Sequence, residues 1–470
     1  MRFQRIKRYY DALIKRPHIV FATVGATFGL LFIVLIPPFQ TPDEHMHLAR
    51  AYQVATFDTN THASESGRLY AQLPVSFTKT QTAVQSFLTE PGNGRYDFSA
   101  TARSASIPLN PSKTVSYDVT NTTVYPSLAY VPQAAAIALL KLFDAPIIFM
   151  MYAARLATLA VWIFLGVVAI RLTPIRKWTF AILALLPMMV AQSIAPGIDM
   201  LTVGLSLLLL ALILRARESG QPSRYDYVMI GTVAALVPMT KPVNIVLLLL
   251  LFFVPIVAKR PSRRALGRVA LIAAPLLLFV VWMVGAGLEN MSAPQGKGDT
   301  DGQIRYILSQ PQQFAEAIFN TFTTTSSDLV TRSFIGNFGW LNAPMPLLGV
   351  VFGYCLLAYV LFVRYERKDI IATAKARWLW GGIVAAYCLT IVASMYVGWS
   401  AVASDVVDGL QGRYFLAVPF LLIPLLATIH LASVSQTKYV KTALIGTIIL
   451  LVMATFSLVM RYYWPFHSLV

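Results

Sequence analysis

Long apolar runs recur along almost the whole chain and leave little room for any fold other than a bundle of membrane helices. Twelve such runs cover residues 18–36, 126–143, 147–170, 178–195, 199–214, 227–240, 242–258, 266–286, 344–363, 378–397, 413–432 and 440–460. A helix needs about 20 apolar residues to cross a bilayer. Only 13% of the 470 residues are charged, roughly half the share in soluble domains. The sequence therefore predicts an all-α polytopic membrane protein in which residues 1–470 form one integral-membrane domain.

Clusters of Lys and Arg between the runs predict how the chain is threaded through the membrane. The first cluster is the N-terminal segment MRFQRIKRYYDALIKR, and others follow at intervals. Basic loops stay on the cytoplasmic side, and all the clusters reach that side only if the run 126–143 does not span. That run contains two prolines and Lys141, so we predict a helix lying at the outer membrane surface. This gives about eleven transmembrane helices, a cytoplasmic N-terminus and an outer C-terminus.

The distribution of charge also excludes several classes of protein. The net charge of +17 comes largely from the Lys and Arg clusters between the apolar runs, which set the membrane topology. We therefore predict no nucleic-acid partner. Cys355 and Cys388 both lie in apolar runs and predict neither a disulfide nor a thiolate metal site. Arg155 and Arg268 lie near the ends of spans, where a long side chain can reach the interface. Ion-coupled transporters carry ionisable groups in mid-membrane, so this pattern argues against a transporter.

The predicted topology gathers the remaining ionisable residues on the non-cytoplasmic side. Two large outer segments are expected, 37–146 with juxtamembrane helices and 287–343. Shorter outer loops present Asp199, Lys241 and Arg413. Asp199 has a simple alternative role as a helix cap, and Lys241 an alternative role as a snorkelling residue. As cations, Lys241 and Arg413 also suit a phosphate group.

The segment TPDEHMHLAR directly after the first run concentrates charge in an otherwise apolar chain. Thr41 as N-cap and Glu44 three residues later have the spacing of a capping box, which explains the acids by helix stability alone. On such a helix Asp43, His47 and Arg50 share one face. An acid and an imidazole one turn apart can share a proton or a divalent cation. The segment by itself leaves capping and catalysis equally open.

An ordered set of motifs resembles a known family. PDEHMHLARAYQV, YPSLAYVP, LPMMVAQSIAPGID, TKPV, FGWLNAPMP and QGRYFLAVP span nearly the whole chain. In this order they resemble an uncharacterised bacterial polytopic membrane-protein family, a domain of unknown function in the GT-C glycosyltransferase clan. One position departs from the expected pattern, because Asn342 stands where an acid is expected after GWL. A catalytic role for position 342 is therefore not predicted.

The resemblance implies a fold, a reaction and a location. GT-C enzymes have a cytoplasmic N-terminus and a long first outer loop with surface-lying helices. They transfer a sugar, with inversion, from a polyprenyl-phosphate carrier on the outer face of the membrane. The acid after the first helix acts as base or metal ligand, and a second acid in the next outer loop shares its site; these positions match Asp43 and Asp199. We therefore expect a bacterial cytoplasmic-membrane glycosyltransferase that acts on a glycan, lipid or protein acceptor.

The predicted reaction assigns a role to each candidate residue. Asp43 takes the proton of the acceptor hydroxyl, with Glu44 and His47 to orient it. Alternatively, Asp43, Asp199 and His47 hold a divalent metal cation, the one cofactor that the sequence suggests. Trp340 either covers the site and stacks on a sugar or, more commonly for such a residue, anchors the interface. The predicted substrate- and phosphate-binding residues are Arg50, Lys241, Gln411, Arg413, Tyr414 and Trp340.

Two other classes of protein compete with the enzyme. A lipid-linked glycan flippase or exporter also needs outer phosphate-binding cations, but predicts an internal repeat and a charged central cavity. A non-catalytic membrane scaffold explains the large outer segments but not the paired acids and cations. The enzyme requires Asp43, Asp199, Lys241 and Arg413 to converge within side-chain reach, whereas the scaffold does not.

Overall fold

A computed structural model shows that the chain is built almost entirely from helices. It describes residues 14–464 apart from 86–94, 289, 291–298, 325, 367–370, 372, 427–428 and 430, so most of the basic N-terminus lies outside the described residues. Six described helices are long and apolar enough to cross a membrane: Pro17–Leu35, Ile147–Leu172, Asp199–Ser219, Pro261–Gly287, Ala374–Gly398 and Gln436–Tyr462. The prediction of an all-α polytopic membrane protein is confirmed.

Five other predicted runs form shorter or interrupted helices. They are Lys177–Leu183 with Pro187–Ser193, Arg224–Leu236, Pro242–Phe253, Leu347–Phe362, and Gly412–Phe415 with Val418–Leu426. Proline explains the interruption of the run 178–195 and the break between the runs 227–240 and 242–258, because the residue before a proline favours an extended backbone. Leu186 before Pro187 has ψ 144°, and Lys241 before Pro242 has φ −137° and ψ 131°. The count of eleven spans therefore stays a prediction.

The membrane core is organised around the helix Asp199–Ser219, the most deeply buried of the six long helices. This helix packs against Ile147–Leu172, which in turn packs against Pro17–Leu35. The close approach of Ile147–Leu172 to Pro17–Leu35 depends on Gly166, because a side chain at that position would overlap the ring of Phe21. Small residues allow such contacts between membrane helices.

The segment 37–146, which the sequence predicts to lie outside the membrane, folds into a layer with its own hydrophobic core. We keep the predicted names, the outer layer for this part and the second outer segment for 287–343. The elements of the outer layer are Glu44–Thr56, β1 (His62–Ala63), β2 (Leu69–Pro74), Val75–Gln85, Phe98–Ser104, β3 (Thr114–Asp118), Thr120–Thr123 and the 3₁₀ helix Ser127–Tyr130, which continues as Val131–Lys141. The strands form an antiparallel sheet in the order β1-β2-β3. Leu139, Leu142 and Phe143 near the end of the last helix are exposed. This apolar surface fits the prediction of a helix that lies at the membrane interface.

The second outer segment brings an aromatic loop to the first. Its elements are Thr300–Ser309, Pro311–Thr323, Ser326–Ile335, β4 (Asn337–Phe338) and β5 (Ala343–Pro344). The antiparallel pair β4–β5 turns through Gly339 and Leu341, both with positive φ. This hairpin places Trp340 at its tip, where the indole Nε1 donates to the Phe39 carbonyl at 3.0 Å. Between later helices of the chain, β6 (Val363–Arg364) pairs in parallel with β7 (Ala432–Ser433).

Candidate functional site

The helix that carries the PDEH motif begins later than its sequence predicts. It starts at Glu44, and Asp43 is the N-cap residue in the left-handed conformation, with φ 57° and ψ 15°. Thr41 is not the N-cap, since its buried hydroxyl has no partner among the described residues. One half of the predicted capping box forms: the Thr41 amide donates to Glu44 Oε2 at 3.1 Å. The other half, a hydrogen bond accepted by the Thr41 hydroxyl, does not form among the described residues. Because Asp43 has a left-handed backbone and precedes the helix, it does not lie on the helix face that the sequence predicts for Asp43, His47 and Arg50.

Glu44 belongs to a buried ion pair and not to the candidate functional site. Its carboxylate accepts from Arg155 Nε at 2.6 Å and from Arg155 Nη2 at 2.8 Å, and neither side chain is exposed. Arg155 also donates to the carbonyls of Ile33, Ile36 and Pro37 at the end of the first membrane helix. The predicted snorkelling of Arg155 is therefore wrong: the buried guanidinium supplies donors to the Ile33 and Ile36 carbonyls at the helix end, and to that of Pro37, which also accepts from the Gln40 amide. Glu44 is thereby held away from the cluster that Asp43 joins.

Two carboxylate–cation pairs form the centre of the candidate site. Asp43 Oδ2 lies 3.4 Å from Arg413 Nη2, although the two residues are 370 positions apart. Asp199 Oδ1 forms an ion pair with Lys241 Nζ. The Asp43 side chain is 37% exposed and that of Asp199 is 18% exposed. Asp43 is thus the more accessible of the two acids.

The ring of Tyr414 joins the two pairs. Lys241 Nζ lies 5.2 Å from the ring centroid and Arg413 Cζ lies 5.3 Å from it, within the range of cation–π attraction. Burial acts to lower the pKa of Lys241, but the carboxylate of Asp199 acts against it and the net shift is upward. The amine therefore stays protonated. The four residues required to converge by the enzyme hypothesis do so.

A cavity of about 240 Å³ opens on one side of the cluster, and we call it the apolar chamber. Asp199, Lys241 and Arg413 contribute to its wall. Most of the remaining wall is aliphatic or aromatic, including Val124, Val203, Pro242, Val243, Ile391 and Val397. Cations thus face a space that is otherwise suited to hydrocarbon.

A second cavity of about 290 Å³ opens on the other side, and we call it the polar chamber. It is lined by Asp43, His47, Asn121, Trp340, Trp399 and Gln411, among others. Tyr125 and Tyr414 line both chambers. The accessible acid and the paired cations therefore stand at the boundary between an apolar and a polar space.

His47 is held as a neutral imidazole beside the cluster. Its Nδ1 lies 2.8 Å from the Tyr130 hydroxyl, and its ring stacks on that of Tyr125 at a centroid distance of 6.3 Å. Burial lowers the pKa of His47 from 6.5 to about 4, although the charges of Asp43 and Asp199 oppose the shift. At neutral pH this side chain therefore adds no third positive charge to the cluster.

The lowered pKa of His47 predicts a pH dependence of stability. Between pH 6.5 and about 4 the unfolded chain binds a proton at His47 that the folded protein does not. Its contribution to stability is therefore complete above pH 6.5 and is lost as the pH falls towards 4. We expect the melting temperature to fall less between pH 7.5 and 5.0 in His47→Gln than in the wild type. The exposed His62 is the matched control, and a His47→Gln variant with the wild-type pH dependence would refute the assignment.

Arg50 does not join the cluster. It is 5% exposed in the core of the outer layer, where Nη1 donates to Gln53 Oε1 at 3.0 Å and Nη2 to Ser127 Oγ at 3.2 Å. The prediction that Arg50 shares a helix face with Asp43 is wrong, because Asp43 precedes the helix in a left-handed conformation. Arg50 is not among the described residues that line either chamber.

The aromatic loop contributes Trp340, but not Asn342, to the site. The Trp340 side chain is 40% exposed and lines the polar chamber beside Leu341. Its indole lies against the His45 ring, with 5.7 Å between centroids. The hydrogen bond to Phe39 and this contact fix the orientation of the indole. Asn342 is not among the described residues that line the polar chamber.

The predicted metal site does not fit the arrangement of the side chains. In the part of the chain that the structure describes, no group of three or more His, Cys, Asp or Glu could hold a metal ion. Lys241 already neutralises Asp199, and Arg413 faces Asp43. Two fixed cations thus stand where a divalent ion would be needed to neutralise these acids.

Several residues of the site give no signal in the sequence. Asn121 and Tyr125 belong to an ordinary polar stretch, and Trp399 ends an apolar run. They become part of the polar chamber because the two outer segments and the Arg413 loop meet there. Arg155 does carry a signal, since an arginine inside an apolar run requires a partner when it faces the protein interior.

The fold and the site together define a class: a polytopic membrane protein with an ion-paired cluster between an apolar and a polar chamber. Within that class the chain belongs to the family described as Predicted membrane protein (DUF2142), a family of unknown function whose model matches residues 27–422. The matched part includes Asp43, Asp199, Lys241 and Arg413. A comparison with curated proteins finds no match, and a comparison with solved structures finds none.

Proposed function

We propose that this protein is a membrane glycosyltransferase of the GT-C type. It transfers a sugar from a polyprenyl-phosphate donor to an acceptor on the outer face of a bacterial cytoplasmic membrane. One observation carries the proposal: two carboxylate–cation pairs converge on Tyr414 between an apolar and a polar chamber. The family resemblance supports it, and so does the predicted topology of about eleven spans with the N-terminus inside and the C-terminus outside.

The apolar chamber suits the donor. A polyprenyl phosphate joins a long hydrocarbon chain to an anion, and this chamber joins aliphatic walls to Lys241 and Arg413. When the bond between the sugar and the phosphate breaks, negative charge develops on the departing phosphate oxygen. Fixed cations at that position stabilise the transition state more than the ground state. Lys241 acts as a point charge, whereas Arg413 can bind two phosphate oxygens at once.

Asp43 is the base in this proposal. Asp199 is engaged by Lys241, whereas Asp43 is more exposed and has the longer contact of 3.4 Å to its cation. The carboxylate of Asp43 takes the proton of an acceptor hydroxyl in the polar chamber. The acceptor oxygen then forms a bond to the anomeric carbon from the face opposite the phosphate. The carbon–oxygen bond to the phosphate breaks, and the polyprenyl phosphate leaves with the electron pair, so a single displacement inverts the configuration.

A transfer assay tests the proposal directly. Purified protein in lipid nanodiscs is mixed with a panel of polyprenyl-phosphate sugars and candidate acceptors, and new glycosidic bonds are detected by mass spectrometry. We expect one donor to yield a product and to release free polyprenyl phosphate. A flippase instead moves a lipid-linked glycan across proteoliposomes without forming a bond, and a scaffold does neither. Either of these results would overturn the glycosyltransferase proposal.

The same assay decides the metal question. Because two cations of the protein face the proposed phosphate position, we expect transfer to continue after extensive dialysis against EDTA. A loss of activity that Mg²⁺ or Mn²⁺ restores would show that Asp43, Asp199 and His47 hold a divalent ion in the donor-bound state. Heat-treated protein with the same additions serves as the blank.

A further inference from the structure

We infer that the polar chamber is a carbohydrate-binding subsite, so that the acceptor of the proposed reaction is a sugar hydroxyl rather than a protein or lipid group. This inference rests on the proposed function for the role of the sugar as acceptor. The evidence for sugar binding comes from the walls of the chamber alone.

Two carboxamides in the wall have unused hydrogen-bonding capacity. The side-chain oxygens of Asn121 and Gln411 are both buried, and neither has a hydrogen-bond partner in the described part of the chain. Both residues line the polar chamber. A buried polar atom without a partner is unfavourable and needs an explanation, such as a bound molecule. Two residues with such atoms stand in the wall of one small cavity, which indicates a ligand that hydrogen-bonds to their carboxamides.

The remaining groups in the wall narrow the chemistry of this ligand. Asp43 adds a carboxylate, which as a base also requires a donor from the ligand. Trp340 and Trp399 add aromatic side chains, and the hydrogen bond to Phe39 fixes the first of them. A ligand with several hydroxyl donors and an apolar C–H face matches this combination, which is the chemistry of a pyranose.

The size and setting of the chamber disfavour the other two classes of acceptor. Its volume of about 290 Å³ lies near the lower end of the range of about 300–1,000 Å³ for small-molecule sites, which suits one sugar ring. A lipid acceptor would find its aliphatic contacts in the apolar chamber, on the other side of Tyr125 and Tyr414. A peptide would need a groove or a free strand edge to pair its backbone, whereas this wall offers side-chain acceptors.

Saturation-transfer NMR measures the binding without relying on catalysis. The protein in nanodiscs is titrated with the methyl glycosides of glucose, galactose, mannose and N-acetylglucosamine. Glycerol is the control polyol without a ring. We expect at least one glycoside to bind and glycerol not to compete. Loss of one hydrogen bond of about 1 kcal/mol is about fivefold in affinity. Asn121→Ala and Gln411→Ala should each weaken binding by about that factor, and the double variant by about 25-fold.

Gln72→Ala is the matched control, because Gln72 is an exposed amide on β2 in the same outer layer. The inference is overturned if no glycoside binds, if the double variant binds as well as wild type, or if glycerol competes equally. Used as acceptors in the transfer assay, the same glycosides separate the two proposals. Transfer to lipid or protein without glycoside binding would leave the glycosyltransferase standing and remove the sugar acceptor. Glycoside binding without any transfer would remove the enzyme and leave a carbohydrate-binding chamber.

Discussion

Replacing Asp43 with Asn is expected to lower the rate of sugar transfer by about 10²–10⁴-fold, the usual contribution of a positioned general base. The amide keeps the size of the side chain but cannot take the acceptor proton. It also removes the negative charge 3.4 Å from Arg413, which is only 7% exposed. Donor binding should therefore change far less than turnover, since Lys241 and Arg413 both remain. The measurement is the initial rate of product formation, with donor affinity determined separately.

The control for this experiment is Asp58→Asn. Asp58 is an exposed acid just after the helix Glu44–Thr56, in the same outer layer, and it is not among the described residues of either chamber. Both variants should keep the wild-type elution volume and a similar melting temperature, so that the loss is one of chemistry and not of folding. An Asp43→Asn variant with wild-type activity would remove Asp43 from the mechanism. The cation assignments would then need a different base, with Asp199 the next acid in the cluster.

Replacing Arg155 with Met is expected to destabilise the protein by about 3–5 kcal/mol, the usual cost of leaving one member of a buried ion pair unpaired. Glu44 would be left as a fully buried carboxylate whose remaining donor among the described residues is the Thr41 amide. The carbonyls of Ile33 and Ile36 would also lose the guanidinium donor, whereas that of Pro37 would keep the Gln40 amide. The melting temperature in detergent should fall by several degrees, and the yield of folded protein with it.

The double variant Arg155→Met with Glu44→Leu separates these two costs. It removes the unpaired carboxylate but still leaves the Ile33 and Ile36 carbonyls without the guanidinium donor, so it should recover part of the loss and not all of it. The matched control is Arg215→Met, because Arg215 is 46% exposed and its pairing with Asp226 is long, at 3.8 Å. An exposed pair of this kind contributes little to stability. If Arg155→Met melted at the wild-type temperature, the buried pair would have no structural role.

These two variants distinguish neighbouring acids that are hard to tell apart in the sequence. Asp43 and Glu44 are adjacent, both stand at a helix start, and both are predicted to be catalytic. In the structure, the carboxylate of Glu44 turns inward to Arg155 and that of Asp43 contacts Arg413. We therefore expect Asp43→Asn to lose activity with its stability kept, and the loss of the Glu44–Arg155 pair to lower stability first.

Local hydropathy is enough to predict the membrane character of the chain and the positions of its apolar helices. It does not place the helices of the two large segments, such as Val75–Gln85 and Pro311–Thr323. Hydropathy is a property of each local stretch, so the runs predicted at 147–170 and 440–460 appear as the helices Ile147–Leu172 and Gln436–Tyr462. The sequence also singles out Asp43, Asp199, Lys241, Arg413 and Tyr414, because charged and polar residues are rare enough here to stand out. Sequence spacing failed at the helix start, since one left-handed residue at position 43 was enough to separate Asp43 from Arg50.

The pairing of these groups with one another depends on tertiary contacts. The contact of Asp43 with Arg413 joins residues 370 positions apart, and that of Glu44 with Arg155 joins residues 111 positions apart. No local pattern encodes such pairings, because they depend on how the two outer segments pack over the membrane helices. The same packing brings Asn121 and Gln411 to one wall, where their amide oxygens have no partner among the residues that the structure describes. Hydropathy is a property of consecutive residues and predicts the membrane helices, whereas the ion pairs and the chambers depend on contacts between residues far apart in the sequence.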